Sequence, residues 1–499
     1  MTDRSTGEMR KALLTTCLVL VFILRFGLEF WNLNQPIYEG YVGRQIPTAM
    51  VARGLARGRC FFYPQLQTGP FPSYFLVEPP IYAWLVAQLH LNTGLAIETS
   101  ARIISMAGTL MSLAGTGLCA WRIIGRNATF YTLIIFLSVP VSIRYGRSCQ
   151  PDSLALGLVL LGIGIQTISN SKKFHYAGLG LMALGFATKI TLLPLGFILL
   201  TNFKIPSQSK KMIIHYLIVF LFSISWYAWA FYLKSASETA ASGQANDGMY
   251  YWWKMIGPLG LSDLKSLRQI IMNIIWRAWT PLFSIVIFGG ILVKISLRPL
   301  IMPLFALAIW LMLVGAKAHH GYYWLVPSPV VAMVCGLVFS RLAKIRPDVS
   351  MLFLLVFATT GFWQSRSTWE TPAQWMPLTH RSEAILALIS TTDGNYLIAD
   401  EATIFALDQP GLRWEWPADA QKRAAGAWGG VLNGPSPAAL LEFYIEKGGR
   451  WFLALETDTQ WKAWRQQLSP MVCDENLVDS TGGLLLYDLK KRTTDKAPQ

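Results

Sequence analysis

Four ionisable side chains stand where apolar runs of the chain meet polar segments: Glu39, Glu78, Asp152 and Lys189. A charge at or near membrane depth is costly, so each of these positions needs a physical reason. An ionised carboxylate accepts a proton from an attacking hydroxyl, and a fixed ammonium stabilises negative charge on a phosphate. The set suits chemistry on a phosphorylated lipid that is delivered from within a bilayer.

The two glutamates differ in their surroundings. Glu39 lies about eight residues after an apolar run, and we predict a short helix over residues 44–55 directly after it. A helix N-terminus stabilises an ionised carboxylate, so Glu39 is either a general base or a loop acid at a helix start. Glu78 precedes Pro79 and Pro80, which fix the backbone. It is either a rigidly placed functional acid or a structural turn residue.

Asp152 and Lys189 also have two interpretations each. Asp152 opens an apolar run directly after Arg144 and Arg147, so it either caps a helix or belongs to a site for an anionic ligand. Basic residues on the outer side of a membrane run against the positive-inside rule, which favours such a ligand. Lys189 lies between two short apolar runs, where it either extends to the interface or binds a lipid phosphate.

Signals for a metal or a nucleotide are weak. His319 and His320 are followed by Tyr322 and Tyr323. Adjacent histidines do not share one helix face, so the cluster indicates a polar-aromatic lip for a ligand more than a two-histidine metal site. The chain has neither a GxGxxG nor a GxxxxGK[ST] loop, which excludes nucleotide hydrolysis by these motifs. The six cysteines show no CxxC spacing and support neither structural zinc nor a disulfide framework.

Composition places these residues in a membrane protein. Of the 499 residues 53% are hydrophobic and 14% charged, whereas a soluble domain has roughly 25% charged residues. This excludes a cytosolic enzyme, a disordered chain and a fibrous protein. Residues 1–364 hold 30 Lys and Arg against 11 Asp and Glu, while residues 365–499 hold 13 against 17. The positive charge therefore belongs to the membrane part, and nucleic acid is not an expected partner.

Apolar runs predict an α-helical polytopic domain over residues 1–364 with about 11 membrane-spanning helices. The runs are Ala12–Trp31, Ile103–Trp121, Ala128–Ile143, Ser153–Ile168, Tyr176–Ala187, Thr191–Asn202, Met212–Leu233, Ile274–Val293, Leu300–Val314, Tyr323–Leu342 and Met351–Trp363. Ile81–Leu91 is too short to span and is predicted to lie along the interface or to re-enter. With this count Lys and Arg fill the loops on the inner side, as the positive-inside rule requires.

The topology puts the first loop, residues 32–80, and everything after Trp363 on the outer side, with the N-terminus in the cytoplasm. Residues 365–499 are predicted to form a small soluble α/β domain. Its expected strands are Asn395–Asp400, Trp451–Leu455 and Leu484–Leu489, and its expected helices are Pro437–Lys447 and Thr459–Leu468.

In their order along the chain these motifs resemble those of the GT-C fold glycosyltransferases, in the group that contains protein O-mannosyltransferases and the lipid A aminoarabinose transferase. Glu39 begins a stretch similar to the family's acidic first-loop motif with its RQ-x-x-TA-x-x-AR continuation. Glu78-Pro-Pro-Ile-Tyr82 resembles the E-x-P-x-Y step, and the stretch ending at Asp152 resembles the second acidic turn. Ala187-Thr-Lys189 is similar to the lysine turn, and His320-Gly-Tyr-Tyr-Trp-Leu-Val-Pro327 to the H-x-YY-x-L-x-P segment.

The resemblance implies a role for each matched residue. Glu39 would be the general base. Glu78 and Asp152 would orient acceptor or donor, together with His320, Tyr322 and Tyr323, or bind a divalent metal where one is used. Lys189, Arg44 and Arg147 would hold the lipid phosphate. Gly40 stands where many members have a second acid, and Pro79 stands where the aminoarabinose transferases have Lys, which counts against that subfamily and its metal site.

The implied activity is an inverting transfer of one sugar from a polyprenyl-phosphate-sugar donor to a hydroxyl on the outer face. The acceptor is a lipid, a glycan or a protein, and a bacterial inner membrane is the expected setting. The alternative is a transporter or flippase of a lipid-linked sugar. Transporters of the common folds have internal repeats and midplane sites, whereas here the charges gather on one outer edge and no repeat is present.

Overall fold

The computed structural model describes residues 2–40, 42–168, 171–202, 206–236, 264–292, 294–314, 320–389, 395–414, 421–422, 425–426, 430–434 and 436–492. Chain contacts divide it into two compact units. The first unit comprises Met1–Gln35, Glu78–Ala228 and Tyr251–Glu370, and the second comprises Pro36–Val77, Trp229–Tyr250 and Thr371–Gln499. The boundary expected after residue 364 stays a prediction.

The first unit consists of helices. They are α1 (Thr2–Trp31), α3 (Ile81–Thr93), α4 (Ile97–Ile124), α5 (Arg126–Ser138), α6 (Pro140–Tyr145), α7 (Pro151–Ile168), α8 (Lys172–Thr188), the 3₁₀ segment Ile190–Asn202, α9 (Pro206–Ala236), α10 (Leu264–Met272), the π segment Asn273–Ala278, α11 (Pro281–Leu292), α12 (Ile301–Val314), the 3₁₀ segment Gly321–Leu325, α13 (Ser328–Ile345) and α14 (Pro347–Gln364). The bounds of α9 run past Ala228, so its last residues fall in the second unit.

Among the described residues five helices are long and apolar enough to cross a membrane, namely Lys11–Trp31, Ile97–Ile124, Pro151–Ile168, Ile214–Lys234 and Ser328–Ile345. A sixth is counted if Ile270–Ala278 and Pro281–Ile287, which meet at 99°, form one broken span. The expected 11 crossings exceed this number because several apolar runs fold as helices shorter than a full span.

The site-bearing ends of α7 and α8 are set by close helix packing. A Cβ atom on Gly108 of α4 would lie 2.5 Å from the backbone nitrogen of Leu154 in α7. On α8, a Cβ atom on Gly185 would lie 2.9 Å from the backbone oxygen of Ala155. Within a membrane small residues let helix backbones approach, because van der Waals contact replaces the hydrophobic effect as the driving force. The helices α4, α7 and α8 therefore pack backbone to backbone.

The second unit combines helices with a five-stranded sheet. Its elements are α2 (Val42–Ala56), α15 (Met376–Leu388), β1 (Tyr396–Ala399), α16 (Glu401–Ala406), β2 (Gly411–Arg413), α17 (Pro437–Glu446), β3 (Gly449–Leu455), α18 (Thr459–Leu468), β4 (Leu477–Asp479) and β5 (Leu484–Asp488). The strand order is β2-β1-β3-β5-β4. β1 is parallel to β2 and β3, and β5 is antiparallel to β3 and β4.

The expected strands and helices of the C-terminal residues are confirmed, as is the helix after Glu39. Strands β2 and β4 were missed because each has three residues, too few for a period-two pattern. The helix α16 has six residues and is capped by Asp400, whose carboxylate accepts hydrogen bonds from the backbone of Ala402 and Thr403 at 2.9 and 3.0 Å. Burial raises the pKa of the Asp400 carboxyl. All six cysteines are free thiols.

The close packing of α4 on α7 predicts a specific loss of stability. Gly108→Ala should lower the free energy of unfolding by about 1–3 kcal/mol, because the added methyl group has no room against the backbone of α7. The measurement is thermal unfolding of the purified protein in one detergent.

Gly180→Ala is the matched control, since nothing lies within 4 Å of a Cβ atom at Gly180 on α8. It should leave stability unchanged or slightly raised, as alanine favours a helix over glycine. Equal stability of the two variants would contradict the packing described for Gly108.

Candidate active site

Three of the expected site residues meet in one buried ion cluster. The Nζ atom of Lys189 lies 2.7 Å from Oδ1 of Asp152 and 3.3 Å from Oε1 of Glu78. The Lys189 side chain is 2% exposed, that of Asp152 is not exposed, and that of Glu78 is 14% exposed. The cluster therefore holds two carboxylates and one ammonium. Glu78 is the weaker of the two acidic partners, because it is more distant from the ammonium and more exposed to solvent.

Each member of the ion cluster is placed by the end of a helix. Asp152 stands in the first turn of α7, just after Pro151. Lys189 follows the last residue of α8 with extended backbone angles, φ −151° and ψ 96°, and the 3₁₀ segment begins at Ile190. Glu78 precedes the two prolines that lead into α3. The break between the two short apolar runs thus puts the lysine at a turn, where its side chain reaches both acids.

Two tyrosines border the ammonium of the ion cluster. Lys189 Nζ lies 5.6 Å from the ring centroid of Tyr322 and 5.3 Å from that of Tyr323, within range of a cation–π attraction. The His320 ring stacks beside them, with its centroid 5.7 Å from that of Tyr322. The segment His320–Tyr323 therefore forms a polar-aromatic wall next to the ion cluster. His319 lies outside the described residues.

Glu39 and Arg44 belong to the second unit. Glu39 is 1% exposed and sits just before α2, and the side-chain amide of Gln45 in α2 donates a hydrogen bond to its backbone oxygen. The guanidinium carbon of Arg44 lies 5.5 Å from the centroid of the Phe75 ring. A side-chain amide on the first turns of α2 thus anchors the backbone that carries the expected base.

Arg147 is tied to protein groups that the sequence did not indicate. Its Nη1 atom donates to the backbone oxygen of Thr368 at 3.0 Å and to Oε1 of Gln35 at 3.1 Å, and its Nη2 atom donates to the backbone oxygen of Asn32 at 2.7 Å. Its expected role in holding the lipid phosphate stays a prediction. A role in holding the polar segment that follows α1 accounts for these bonds.

A second set of buried charges was missed by the sequence analysis. Arg25 and Glu29, one turn apart on α1, form an ion pair at 2.6 Å and are fully buried. The charges of Arg147 and Arg102 also act on the Glu29 carboxylate, and Arg102 donates to the backbone oxygen of Gln35. The signal was present as an i, i+4 pair of opposite charges inside the first apolar run, a position where ionisable residues need partners.

The residues of the ion cluster do not fit a metal. Among the described residues there is no group of three His, Cys, Asp or Glu side chains that would hold a metal ion. Glu78 and Asp152 were the expected ligands, and the ammonium of Lys189 lies between them at ion-pair distance from both. A divalent cation bound by these two carboxylates would meet that positive charge at close range.

The fold is shared with solved membrane enzymes. No family model matches the chain, and no curated protein matches it by sequence. The structure of ArnT, an aminoarabinose transferase, from Cupriavidus metallidurans bound to undecaprenyl phosphate is similar with a TM-score of 0.63 at 14% identity, over 97% of this chain and 100% of that one. The Archaeoglobus fulgidus oligosaccharyltransferase in the apo form is similar with a TM-score of 0.54 at 9% identity, over 89% of this chain and 69% of that one.

These comparisons define the class to which the architecture belongs. Both similar proteins are GT-C fold glycosyltransferases, and the chain has the helical membrane architecture of that fold with a small C-terminal sheet. The resemblance suggested by the sequence motifs is thereby confirmed at the level of the fold.

The ion cluster predicts a large effect of removing its cation. Lys189→Met should lower the free energy of unfolding by about 3–5 kcal/mol, because two carboxylates remain near each other without their shared ammonium. Adding Asp152→Asn to Lys189→Met should restore part of the loss, since one of the two negative charges is gone. Thermal unfolding in detergent gives both values.

Lys344→Met, at an exposed position near the end of α13, is the matched control and should leave stability unchanged. A Lys189→Met protein as stable as the Lys344→Met protein would refute the structural role of the ion cluster.

Proposed function

We propose that the chain is an inverting glycosyltransferase that moves one sugar from a polyprenyl-phosphate-sugar donor to a hydroxyl acceptor on the outer face of the membrane. The observation that carries the proposal is the buried lysine with its aromatic wall, within a fold shared with glycosyltransferases. ArnT has been solved with undecaprenyl phosphate, and the oligosaccharyltransferase of Archaeoglobus fulgidus with a tethered acceptor peptide, which supports a lipid phosphate as one ligand and a peptide among the acceptors to test.

The reaction begins at Glu39. Its carboxylate takes the proton of the acceptor hydroxyl while the hydroxyl oxygen forms a bond to the anomeric carbon of the sugar. The bond from that carbon to the phosphate oxygen breaks, and its electron pair stays on the departing polyprenyl phosphate. Attack opposite to the leaving group inverts the anomeric carbon through an oxocarbenium-like transition state.

Lys189 stabilises the charge that develops on the leaving phosphate. Asp152, the nearer partner, keeps the ammonium in place through the reaction. Glu78 is the more distant and more exposed partner of Lys189. When the phosphate binds, it replaces Glu78 beside the ammonium, and the Glu78 carboxylate then orients the acceptor together with His320. Tyr322 and Tyr323 exclude water beside the ammonium, which strengthens its interaction with the phosphate. Arg44 adds a second positive charge for the lipid phosphate.

The membrane arrangement belongs to the same proposal. About 11 crossings put the basic loops in the cytoplasm and the acidic C-terminal residues outside, in agreement with the positive-inside rule. Shorter helices and the 3₁₀ segment then complete the spans within the shelter of their neighbours. A bacterial inner membrane is the setting that we propose, with a lipid, glycan or protein acceptor on its periplasmic side.

Loss of the base should abolish transfer. Glu39→Gln should lower the rate of sugar transfer by about 10²–10⁴-fold, because the amide no longer accepts the hydroxyl proton. The measurement is transfer from a panel of radiolabelled polyprenyl-phosphate sugars in membranes that carry the wild type or the variant.

Glu370→Gln is the control for a neutralised acid at an exposed position and should transfer sugar as the wild type does. Near-normal transfer by Glu39→Gln would remove Glu39 from the mechanism. If no donor loses its sugar while labelled lipid changes leaflet, a transporter replaces the transferase as the function.

The composition of the ion cluster, two carboxylates and one ammonium, predicts that sugar transfer needs no metal at this site. Treatment of the purified enzyme with EDTA should leave the transfer rate unchanged, because the ammonium of Lys189 takes the place between the two acids that a divalent cation would need. Loss of transfer on chelation, with recovery on adding Mg²⁺ or Mn²⁺, would show that a metal acts elsewhere in the reaction.

A further inference from the structure

The second unit contains a polar clamp, which we define as Asp408 with Arg53, Arg57 and Gln67. Oδ1 of Asp408 accepts hydrogen bonds from Arg53 Nη1 at 3.0 Å and from Gln67 Nε2 at 2.7 Å. Oδ2 of Asp408 pairs with Nη2 of Arg57. One carboxylate from the C-terminal residues thus bonds to two arginines at the end of α2 and to a side chain of the first loop.

Besides its ion pair with Asp408, Arg53 makes a hydrogen bond and a cation–π contact with Phe405. Its Nη1 atom also donates to the backbone oxygen of Phe405 at 2.7 Å, and its guanidinium carbon lies 3.9 Å from the centroid of the Phe405 ring. Its side chain is 15% exposed. An arginine that is stacked and bonded at several points has little rotational freedom, so α2 is fixed rigidly against α16.

The first loop also extends the sheet. The backbone nitrogen of Gly69 donates to the oxygen of Gly411 at 2.8 Å, and the nitrogen of Gly411 donates to the oxygen of Gln67 at 3.0 Å. Thr68 pairs with Gly411 in a parallel bridge beside β2, which is an edge strand. Covering an exposed strand edge satisfies its backbone groups and joins the loop to the C-terminal residues.

The clamp acts at the far end of the helix that follows Glu39. Arg53 stands in the last turn of α2 and Arg57 directly follows the helix, while Gln45 near its beginning bonds to the backbone oxygen of Glu39. Pro47 lacks the backbone N–H that would bond within the helix, but every residue from Gln45 to Ala52 is buried, so α2 is held by its surroundings and its two ends are coupled through this packing. The position of Asp408 therefore sets the position of the Glu39 backbone.

We propose that the C-terminal domain is a positioning element for the catalytic base, and that Asp408 is its principal positioning residue. The inference rests on the proposed function, because it assigns Glu39 the role of base. Asp408 does not touch the reacting atoms. It fixes α2, and α2 in turn fixes the carboxylate that receives the proton.

The first experiment tests the clamp without requiring activity. Asp408→Asn keeps the size of the side chain and suits the left-handed backbone at this residue, where φ is 52°. It removes the charge that both arginines share. Hydrogen–deuterium exchange of the full-length protein in detergent should show faster exchange in residues 42–57 of the variant.

Asp479→Asn is the matched control. Asp479 is paired with Arg381 at 2.9 Å in the same unit, and this bridge joins α15 to β4 without involving the first loop. It should leave exchange in residues 42–57 unchanged.

The second experiment measures kinetics with the donor found in the panel above. Asp408→Asn should lower kcat by about 10- to 100-fold, as expected for a catalytic group displaced by roughly 1 Å, while KM for the lipid donor changes by less than twofold. A residue that only stabilises the fold would lower the amount of folded enzyme without a specific loss of kcat. Asp479→Asn should keep both constants.

The outcomes separate the two proposals. Faster exchange in α2 together with a lower kcat supports the positioning role. Unchanged exchange, or normal kcat in Asp408→Asn while Glu39→Gln is inactive, overturns the positioning role and leaves the transferase standing. Absence of transfer by the wild type from every donor overturns the proposed function, and the positioning role falls with it.

Discussion

The ammonium of Lys189, shared between Asp152 and Glu78, is the interaction on which the first unit depends. A buried lysine is stable only when its charge is compensated at short range, and removing either side of such a pair leaves an uncompensated charge. The three residues come from the turn before α3, the start of α7 and the end of α8. The requirement to bring them together therefore restricts how these elements pack. Because the three elements meet at their ends, the charged groups lie at the ends of these helices and not in their middles.

Two features of the helices support the ion cluster. Glycines at the crossings of α4, α7 and α8 allow the backbones to approach closely, which places Asp152 and Lys189 within reach of each other. Buried arginines hold the segment after α1, since Arg102 and Arg147 donate to backbone oxygens of residues 32–35 and Thr368. Hydrogen bonds of this kind satisfy backbone oxygens that are buried away from water. The ion cluster is thus supported by helices that pack closely at glycines, and the segment after α1 is held by arginine hydrogen bonds.

The second unit shows how a loop becomes part of a domain. Residues 67–69 pair with the edge of the sheet beside β2, and α2 is bonded to Asp408 and Phe405. The first loop and the C-terminal residues belong to one compact unit, and the residues that bond between them, such as Arg53 and Phe405, are more than 300 positions apart in sequence. The hydrogen bonds and ion pairs of Asp408 and the backbone pairing at Gly411 thus fix a loop that precedes the sheet in the chain.

The sequence alone determined the class of fold and singled out the candidate chemical groups. Hydrophobic runs, the distribution of Lys and Arg, and the helix and strand patterns of residues 437–489 depend on local periodicity, and the structure confirms the helical membrane architecture and the small sheet. Motif order was enough to indicate the GT-C fold, because each motif is a short run whose residues are read directly. Glu78, Asp152 and Lys189 were likewise singled out by their places beside apolar runs.

Only the tertiary structure decided which groups are partners. In the structure Lys189 pairs with two acids, and Arg147 donates to backbone oxygens. Arg25 forms a buried pair with Glu29, and Asp408 bonds to the first loop. Within the described ranges, the structure also has fewer full-length spans than the apolar runs suggested. The reason is that an ion pair depends on the crossing of helices distant in sequence. That crossing is fixed by close backbone contact at glycines such as Gly108, a non-local property that no run of residues contains.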